Sequence, residues 1–492
     1  MHYNYVQFNT PQFHLLSDNQ LEDLHLATLQ VLERAGVAFQ CQEALDILGE
    51  AGADVSNPGR VKIPPRLVEQ ALRTTPRTVT LYSREGEPAI ILNRMTGAHF
   101  GSCTGYPEII DPYTRKRRLG YVEDVADLAR LCDALPNIER IYTGSPYKTL
   151  DASIADEVSL LQLVLNTTKP IGCWIMDGAK SLKRMIAMCA LVAGGEEQLR
   201  RKPFFMGSSQ PVSPLVQGTD PMEKSLLCAE KGIPNFIYPM PMAGATAPAT
   251  MEGTLVISNA EILSQLVVLQ MKYPGAPLVI GAFPSVMDMK TGIFPTGAPE
   301  LSVIVAGLTE LIHYYGLPAF GCAGMTDAEV LGVQATAEIT YQILTSALSG
   351  ADLVHNVGLF YHSTAISGEL IVLCDEIISM VKVLMGGLRV NEDTVPLKLI
   401  ERLGPQSNFL YDSHTLKNFR KFWVPTIFDR SFTRKADTKD AEELLHQKTI
   451  TILETHKPKP LPEQLVKELK NMERSWFKEA GLVYEYPQWS DK

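Results

Sequence analysis

The chain contains 492 residues, 45% of them hydrophobic, and carries a formal net charge of −10 at pH 7. A chain of this length and composition can bury a large core. Its acidic excess argues against a nucleic-acid partner, which would require clustered Lys and Arg, because basic runs such as 115–118 and 417–421 are short.

Residues 1–96 are predicted to form an N-terminal helical cap that includes a β-hairpin. The first ten residues, MHYNYVQFNT, lack the charged and apolar regions of a signal peptide. Ser17 and Gln20 have the spacing of a capping box, and apolar residues follow them at helical intervals until Gly36. Residues 78–92 alternate in polarity and turn at 84–86, which indicates the hairpin.

Residues 97–390 repeat one pattern, in which a short apolar strand is followed by a Gly, Pro or Ser turn and a longer amphipathic helix. This alternation predicts an α/β fold, the (β/α)8 TIM barrel, whose binding residues follow the C-terminal ends of the strands. The apolar runs place the eight strands near 98–103, 140–144, 170–175, 203–208, 235–239, 277–281, 318–323 and 351–358.

Residues 391–492 are more charged and are predicted to form a C-terminal helical extension, with amphipathic helices near 438–454 and 462–480. This extension could cover a face of the barrel or pack against another subunit. Because large barrels often form homo-oligomers, we expect one here by analogy of fold.

The spacing of the cysteines and the hydropathy of the chain indicate its compartment. The eight cysteines form neither a CxxC motif nor a Cys/His ligand pattern, which predicts free thiols in a reducing environment and no metal site. No uncharged apolar run reaches the roughly 20 residues needed to span a bilayer. We therefore expect a cytoplasmic protein without a membrane partner.

Aromatic residues accumulate at the predicted C-terminal ends of the strands. Taken singly, each is more simply explained by packing, but as a group they could form a cage for a quaternary ammonium cation. The predicted substrate-binding set adds a glutamine and a histidine and comprises Phe100, Tyr106, Trp174, Tyr238, Phe360, Tyr361, His362 and Gln210.

Acid–base candidates are few, and three are predicted to be catalytic: Asp327, Glu329 and His355. Each also has a structural interpretation. His355 could be a hydrogen-bonded structural residue, Asp327 could cap the following helix, and Glu329 could face solvent. Sequence motifs of hydrolases, phosphate-binding loops, zinc proteases and dinucleotide-binding folds are absent.

Four segments together resemble one family. The run GCAGMTDAE at 321–329, the N-terminal helix at 16–29 and the loop at 244–250 are similar to segments of the trimethylamine:corrinoid methyltransferase family. A C-terminal block, HTLKNFR at 414–420 followed by FWVP at 422–425 and FDR at 428–430, resembles the signature of the same family. The resemblance extends over nearly the whole chain.

The resemblance implies a methyltransferase, of the class of quaternary amine:corrinoid protein Co-methyltransferases, that binds no cofactor tightly. Members acting on trimethylamine carry pyrrolysine after strand seven, whereas ordinary residues, with Glu329 nearest that position, stand here. This departure points to the pyrrolysine-free branch, whose substrates are quaternary amines: glycine betaine, proline betaine, carnitine or γ-butyrobetaine. The corrinoid would be supplied by a cognate corrinoid protein, and the chain lacks the DxHxxG motif of cobalt ligation.

Chemistry supports a site rich in aromatics and poor in acids. Cobalt(I) attacks the methyl carbon and a neutral tertiary amine leaves, so the enzyme needs to position the cation and exclude water rather than supply a proton. A carboxylate on the substrate would need donors such as His355, His362, residues 208–210 or an arginine. Glu329 could serve as counter-ion to the ammonium. Glycine betaine, the smallest and most abundant of these amines, is the predicted substrate.

Three other functions remain open at this stage. A lyase or aldolase barrel would need a lysine or metal cluster at the strand ends, and the sequence offers none that is convincing. A quaternary-amine binding protein without catalysis would bind a betaine tightly and not turn it over. Trimethylamine itself could be the substrate, which the absence of pyrrolysine disfavours.

Overall fold

The computed structural model describes residues 12–94, 97–430 and 439–489. Eight parallel strands form a closed barrel in which neighbours along the chain are neighbours in space. The strands are β1 (His99–Thr104), β2 (Arg140–Thr143), β3 (Ile171–Cys173), β4 (Phe205–Ser209), β5 (Asn235–Ile237), β6 (Leu278–Gly281), β7 (Ala319–Cys322) and β8 (Leu353–Val357). The predicted (β/α)8 barrel is confirmed, and each predicted strand overlaps an observed one.

A helix follows every strand and covers the outside of the barrel. These helices are α1 (Val122–Ala134), α2 (Ala152–Asn166), α3 (Gly178–Ala193), α4 (Thr219–Lys231), α5 (Met251–Lys272), α6 (Pro299–Tyr314), α7 (Val333–Ser349) and α8 (Gly368–Met385). The strands are buried on both faces, which explains why they are read from the sequence as continuous apolar runs. A further short helix, Glu196–Arg201, lies between α3 and β4.

Strand alternation decides which side chains enter the barrel. In β1, Ser102 faces outward, where its hydroxyl lies against Cys132 of α1, and Cys103 faces the interior. In β8 the pairing register with β1 shifts between Val354 and Val357, and Asn356 has a φ of 78°. This bulge turns two consecutive side chains, His355 and Asn356, toward the same cavity, which a regular strand could not do.

A small sheet bridges the loops that follow β1 and β8, where the barrel closes at its C-terminal end. Its strands are Leu359–Phe360, Ala365–Ser367, Glu108–Ile110 and Arg117–Leu119, in that spatial order. Arg118 of this sheet pairs with Asp111 at 2.8 Å and with Asp124 at 2.7 Å, and all three side chains are largely buried. The first and last loops of the barrel mouth are therefore joined by backbone pairing.

The N-terminal helices Asp18–Gln30, Gln42–Ala51 and Pro65–Thr74 pack against the outer face of α5. The capping box forms, with Ser17 and Gln20 bonded reciprocally. Strands Val79–Tyr82 and Pro88–Leu92 form the predicted hairpin. Two segments discussed above, the first ten residues and the cap boundary at residue 96, lie outside the described residues.

The N-terminal helices cover the outer face of α5, which explains why this helix is unusually apolar. Within the described residues, α5 is the helix that is long and apolar enough to cross a membrane by composition, and 83% of that apolar window is buried in the protein. It contacts the barrel on one side and the N-terminal helices on the other. Its composition is accounted for by this double burial.

The C-terminal helices cover a different part of the outer layer. Helix Ala441–Thr455 packs against α8 and α1, and helix Glu463–Glu479 packs against α2 and α3. Between α8 and these helices lie two short ones, Leu397–Leu403 and Ser413–Asn418, none of whose residues is buried. All eight cysteines are buried and unpaired.

Candidate functional site

A cavity of about 330 Å³ lies at the C-terminal end of the barrel. Residues from seven of the eight strands or the loops after them form its wall, and aromatic rings dominate. The lining comprises Tyr106, Tyr142, Trp174, Tyr238, Phe283, Phe294, Phe320, Cys103, Met240, Thr296, His355, Asn356, His362 and Ser363. No Asp, Glu, Lys or Arg is among these described lining residues, so the wall itself carries no fixed charge.

The aromatic rings pack against one another and are held in place from behind. The Phe236 ring lies 4.8 Å from that of Tyr238 and 5.2 Å from that of Phe320, both in stacked arrangements. The Tyr142 hydroxyl donates to Ser208 Oγ at 2.7 Å. Burial raises the pKa of Tyr106 and of Tyr238, so both phenols are neutral and present π faces rather than charge.

A buried arginine lies beneath the floor of the cavity, behind His355. Arg140, at the start of β2, is fully buried, and its Nη2 donates to His355 Nδ1 at 3.2 Å. Its Nη1 lies 3.5 Å from the sulfur of Met206, and its Nε has no partner. No carboxylate in the described part of the chain forms an ion pair with this guanidinium. The positive charge is therefore buried without a carboxylate partner, and its nearest π faces are the rings of Tyr142 and Phe236, at 5.4 and 5.7 Å.

The contact with Arg140 also determines the protonation state and the tautomer of His355. Burial, and secondarily the charge of Arg140, hold the pKa of His355 well below its usual value, so the imidazole is neutral at physiological pH. Since Nδ1 accepts from Arg140, the proton resides on Nε2, which lies 3.3 Å from Cys103 Sγ. Burial lowers the pKa of Arg140 to about 10, which leaves it protonated. His355 thus presents its Nε2–H donor toward the cavity, and the Arg140 cation lies behind it.

At the rim of the cavity the nearby charge is negative, opposite in sign to that of Arg140. His362 lines the cavity, and its Nδ1 lies 3.0 Å from Asp327 Oδ1. Asp327 also accepts hydrogen bonds from the backbone N–H of Thr296 at 2.7 Å and of Gly297 at 2.9 Å. Asp327 therefore joins the loops after β6, β7 and β8 and places a carboxylate directly behind the imidazole. It does not cap the helix that follows β7, whose N-cap is Gly332.

Comparison with known proteins gives the family. The model of the trimethylamine methyltransferase (MTTB) family matches residues 1–475. The trimethylamine methyltransferase MttB of Desulfitobacterium hafniense DCB-2 is 33% identical over 473 residues, covering 95% of both chains. The glycine betaine methyltransferase of D. hafniense Y51 is 28% identical over 479 residues, covering 96% of this chain and 98% of its own.

The chain belongs to the trimethylamine methyltransferase family. It is accordingly a methyltransferase. The crystal structure of the monomethylamine methyltransferase MtmB of Methanosarcina barkeri has the same barrel fold, with a TM-score of 0.51 at 13% identity, and covers 96% of this chain and 90% of its own. The resemblance inferred from the four sequence segments is confirmed over residues 1–475.

Within this methyltransferase, five predicted site residues line the cavity and a sixth supports it. Tyr106, Trp174, Tyr238, His355 and His362 contribute to the wall. Asp327 lies behind His362 as described. These six residues come from loops or strands far apart in sequence, and the barrel gathers them at one end.

Five other predicted residues lie elsewhere. Phe100 lies two residues before Ser102 in β1, so it faces outward like Ser102 and packs between the strands and the helices. Phe360 is buried in the small sheet above the barrel. The Tyr361 ring is covered by the guanidinium of Arg117, at 3.9 Å from its centroid. Glu329 is exposed on the loop after β7. None of these four lines the cavity.

Gln210 borders a second, more polar chamber of about 510 Å³. Trp174, Tyr238 and Met240 line both chambers and so form the partition between them. Lys224 lines the second chamber, but its ammonium is already paired with Asp220 at 2.6 Å and donates to the carbonyl of Ile175. Gln210 therefore lies beside the aromatic cavity and not in it.

Three of the residues that sequence reasoning missed are central to the site: Arg140, Tyr142 and Phe320. All three lie inside predicted strands, whereas most predicted site residues lie at or beyond the C-terminal ends of strands. A signal was present for the first, because an arginine that opens an otherwise apolar barrel strand has to be buried or to face the barrel end. Predicting Tyr142 and Phe320 requires the inward parity of each strand, which the apolar runs do not reveal.

Proposed function

We propose that this methyltransferase transfers a methyl group from a quaternary ammonium zwitterion, glycine betaine first, to the cobalt(I) of a corrinoid carried by a separate protein. The observation that carries the proposal is the uncharged aromatic cavity above the unpaired, buried Arg140. Its volume lies near the lower end of the range of about 300–1,000 Å³ typical of ligand pockets, which favours the smallest betaine. Proline betaine, carnitine and γ-butyrobetaine are the alternative donors of the same class.

Methyl transfer of this kind requires little acid–base chemistry. The N–CH3 bond breaks, its electron pair stays on nitrogen, and the methyl carbon bonds to cobalt, which supplies two electrons and becomes methyl-cobalt(III). Glycine betaine thereby becomes dimethylglycine, a tertiary amine that leaves without a proton. The neutral wall of the cavity and the neutral His355 suit a reaction in which no side chain must donate one.

The aromatic wall provides the recognition of the ammonium group. A cation over the face of a Trp, Tyr or Phe ring gains roughly 0.5–2 kcal/mol per ring. Tyr106, Trp174 and Tyr238 line the cavity and supply such faces, and the ring of Phe236 stacks on that of Tyr238. Because these rings also exclude water, they favour the reaction by removing solvent from the cation and by aligning the methyl group.

The two ends of the cavity match the two charges of a zwitterion. Arg140 lies at the floor, where His355 Nε2 can donate to a carboxylate, and Asp327 lies at the rim behind His362. A betaine bound with its carboxylate down and its ammonium up satisfies both. This orientation also directs an N-methyl group toward the mouth, the side from which a partner protein can approach. The counter-ion predicted at Glu329 is reassigned in this proposal to Asp327.

The corrinoid is proposed as a substrate delivered by a cognate corrinoid protein and not as a resident cofactor. Within the described residues, no group of three His, Cys, Asp or Glu side chains is placed to hold a metal ion. This chain's contribution is to bind, orient and desolvate the methyl donor.

The test is spectroscopic. The purified enzyme is mixed with the candidate corrinoid protein reduced to cobalt(I), and conversion to methyl-cobalt(III) is followed as glycine betaine, the three alternative betaines, choline and trimethylamine are added separately. Methylation with a betaine and not with trimethylamine supports the proposal. Methylation with trimethylamine alone, or silence with every betaine beside a demonstrably active corrinoid protein, would contradict it.

A further inference from the structure

The short connection from β3 to α3 carries one of the aromatic rings of the cavity. It consists of the four residues 174–177, and it begins with Trp174, which lines both chambers. Three backbone polar groups of this connection form hydrogen bonds with charged side chains of two outer helices. The connection is therefore held from outside the barrel, by residues that lie far from it in sequence.

Asp156 of α2 holds the amide side of this connection. Its Oδ2 accepts hydrogen bonds from the backbone N–H of Met176 at 2.6 Å and of Asp177 at 3.0 Å. Its Oδ1 accepts from the hydroxyl of Ser145, in the loop after β2, at 2.6 Å. Asp156 is 1% exposed, and a carboxylate so deeply buried requires such hydrogen bonds. These bonds therefore fix both the carboxylate and the two amides.

Lys224 of α4 holds the carbonyl side. Its Nζ donates to the carbonyl oxygen of Ile175 at 2.7 Å and pairs with Asp220 at 2.6 Å. Asp220 also lies against Gly178, the first residue of α3, where an added Cβ would be 2.8 Å from Asp220 Oδ1. The buried Asp156 and Lys224, here called the clamp, thus grip the residues that follow Trp174 from two different helices.

Trp174 itself has few contacts that could fix its orientation. It is half-buried and packs against the core. Within the described residues, its indole nitrogen makes no hydrogen bond and its ring is paired with no other aromatic ring. Tyr238, in contrast, stacks on Phe236 at 4.8 Å. The direction of the Trp174 ring therefore depends on the backbone that the clamp holds.

We propose that Asp156 and Lys224 are positioning residues for methyl transfer, because they hold the Trp174 ring in the orientation that binds the ammonium group. This inference rests on the proposed function, in which the ring is part of the ammonium site. A ring attracts a cation only when its face lies within about 6 Å of the charge. A rotated Trp174 would still fill space and exclude water, but it would lose that attraction.

A double-mutant cycle on the Kd of glycine betaine, measured by calorimetric titration, tests the clamp. Asp156→Ala should raise this Kd by about 2- to 10-fold, as expected when a ring face is misdirected. In a chain that already carries Trp174→Leu, the same substitution should leave the Kd unchanged. Lys224→Met, which retains most of the side chain, should behave likewise. The matched control is Glu157→Gln, because this neighbouring buried acid pairs with Arg184 at 3.2 Å and should not affect binding.

Fluorine NMR of the chain labelled with fluorotryptophan reports the orientation of the ring without any ligand. Trp174→Leu identifies the Trp174 resonance among those of the four tryptophans. Asp156→Ala should shift or split this resonance and leave the other three in place. If Asp156→Ala does not fold, Asp156→Asn takes its place, because it removes the charge and keeps the shape of the side chain.

Two results would overturn the clamp and leave the proposed function intact. One is a loss of affinity in Asp156→Ala that is equally large with and without Trp174, which would make the role of Asp156 purely structural. The other is an Asp156→Ala chain whose Trp174 resonance and Kd are both native, while Trp174→Leu weakens binding. If Trp174→Leu alone leaves the Kd unchanged, the ring is not part of the ammonium site, and the proposed site and the clamp are both wrong.

Discussion

At the scale of single residues, Arg140 is the feature of the site that most constrains the substrate. Burying a cation without an anionic partner costs several kcal/mol, and the described contacts of its guanidinium are a thioether, a neutral imidazole and the rings of Tyr142 and Phe236. A bound carboxylate would offset that cost through His355. The same arginine would oppose a ligand that carries only positive charge.

The first prediction follows from this asymmetry. Arg140→Met should raise the Kd of glycine betaine by about 10- to 100-fold, the equivalent of the roughly 1.5–3 kcal/mol of a charge-assisted hydrogen bond. The Kd of tetramethylammonium should stay the same or fall, because the repelling charge is gone. Calorimetric titration of both ligands measures the two effects, with thermal unfolding as the control for folding. An equal loss for both ligands would assign Arg140 a purely structural role.

The second prediction concerns the wall. Trp174→Leu should weaken binding of any quaternary ammonium by about 0.5–2 kcal/mol, or roughly 2- to 30-fold, because one ring face is removed. Phe360→Leu is the matched control, since this ring also follows a strand but lies outside the cavity. Its Kd should be unchanged in a folded protein. If the two variants behaved alike, the aromatic wall would not be the ammonium site.

At the scale of elements, strands and helices could be predicted because each barrel strand is a continuous apolar run and each helix an amphipathic one. The site could be predicted only in part, because the residues that line the cavity depend on which alternate residues of each strand face the inside of the barrel. Phe100 and Cys103 illustrate this dependence, since β1 directs the first outward and the second inward. Apolar composition on both faces conceals that choice.

The loop after β8 shows a second limit. Tyr361, His362 and Ser363 all have positive φ, between 51° and 57°, a conformation that costs non-glycine residues roughly 1–2 kcal/mol each. This left-handed turn places His362 against the cavity and Tyr361 against Arg117. Residue type alone gives no warning of such a turn, because pairing across the small sheet imposes it.

The third prediction concerns the packing of α5 against the loop after β4. Glu261 of α5 accepts hydrogen bonds from Ser213 and from the backbone of Leu215, and burial raises its pKa to about 7. The native state holds this proton where the unfolded state has released it. Stability from the protonated form is therefore complete below the unfolded pKa near 4.5 and is lost as the pH rises to about 7.

Glu261→Gln mimics the protonated acid at every pH. Relative to the native chain, the variant should be stabilised by on the order of 3 kcal/mol at about pH 8 and by much less at about pH 5. Thermal unfolding midpoints at the two pH values measure the difference. Glu329→Gln, which changes an exposed carboxylate, should show no such pH dependence. A constant difference between Glu261→Gln and the native chain at both pH values would contradict the assignment.

At the scale of the whole molecule, the barrel places two buried or half-buried charges at opposite ends of one cavity. Arg140 belongs to the start of β2, and Asp327 and His362 belong to loops beyond the ends of β7 and β8. A zwitterion in the aromatic cavity would lie between them, so the two charges would select its orientation. Contacts to its methyl groups would not be needed for that selection. In the proposed function, this arrangement should distinguish zwitterions from simple cations of similar size.

Choline and glycine betaine test that arrangement directly, because they share the trimethylammonium group. Choline carries a hydroxyl group where glycine betaine carries a carboxylate. Glycine betaine should bind at least about tenfold more tightly, since its carboxylate carries a negative charge toward His355 and Arg140, whereas the hydroxyl of choline is neutral. Arg140 is fully buried, so the ratio of the two Kd values should change little with salt, unlike one set by surface charges. Titrations at low and at high ionic strength measure both. Equal affinities would remove the carboxylate from the recognition and leave the aromatic wall as the sole determinant of binding, and a ratio that collapses in salt would locate the selecting charge on the surface.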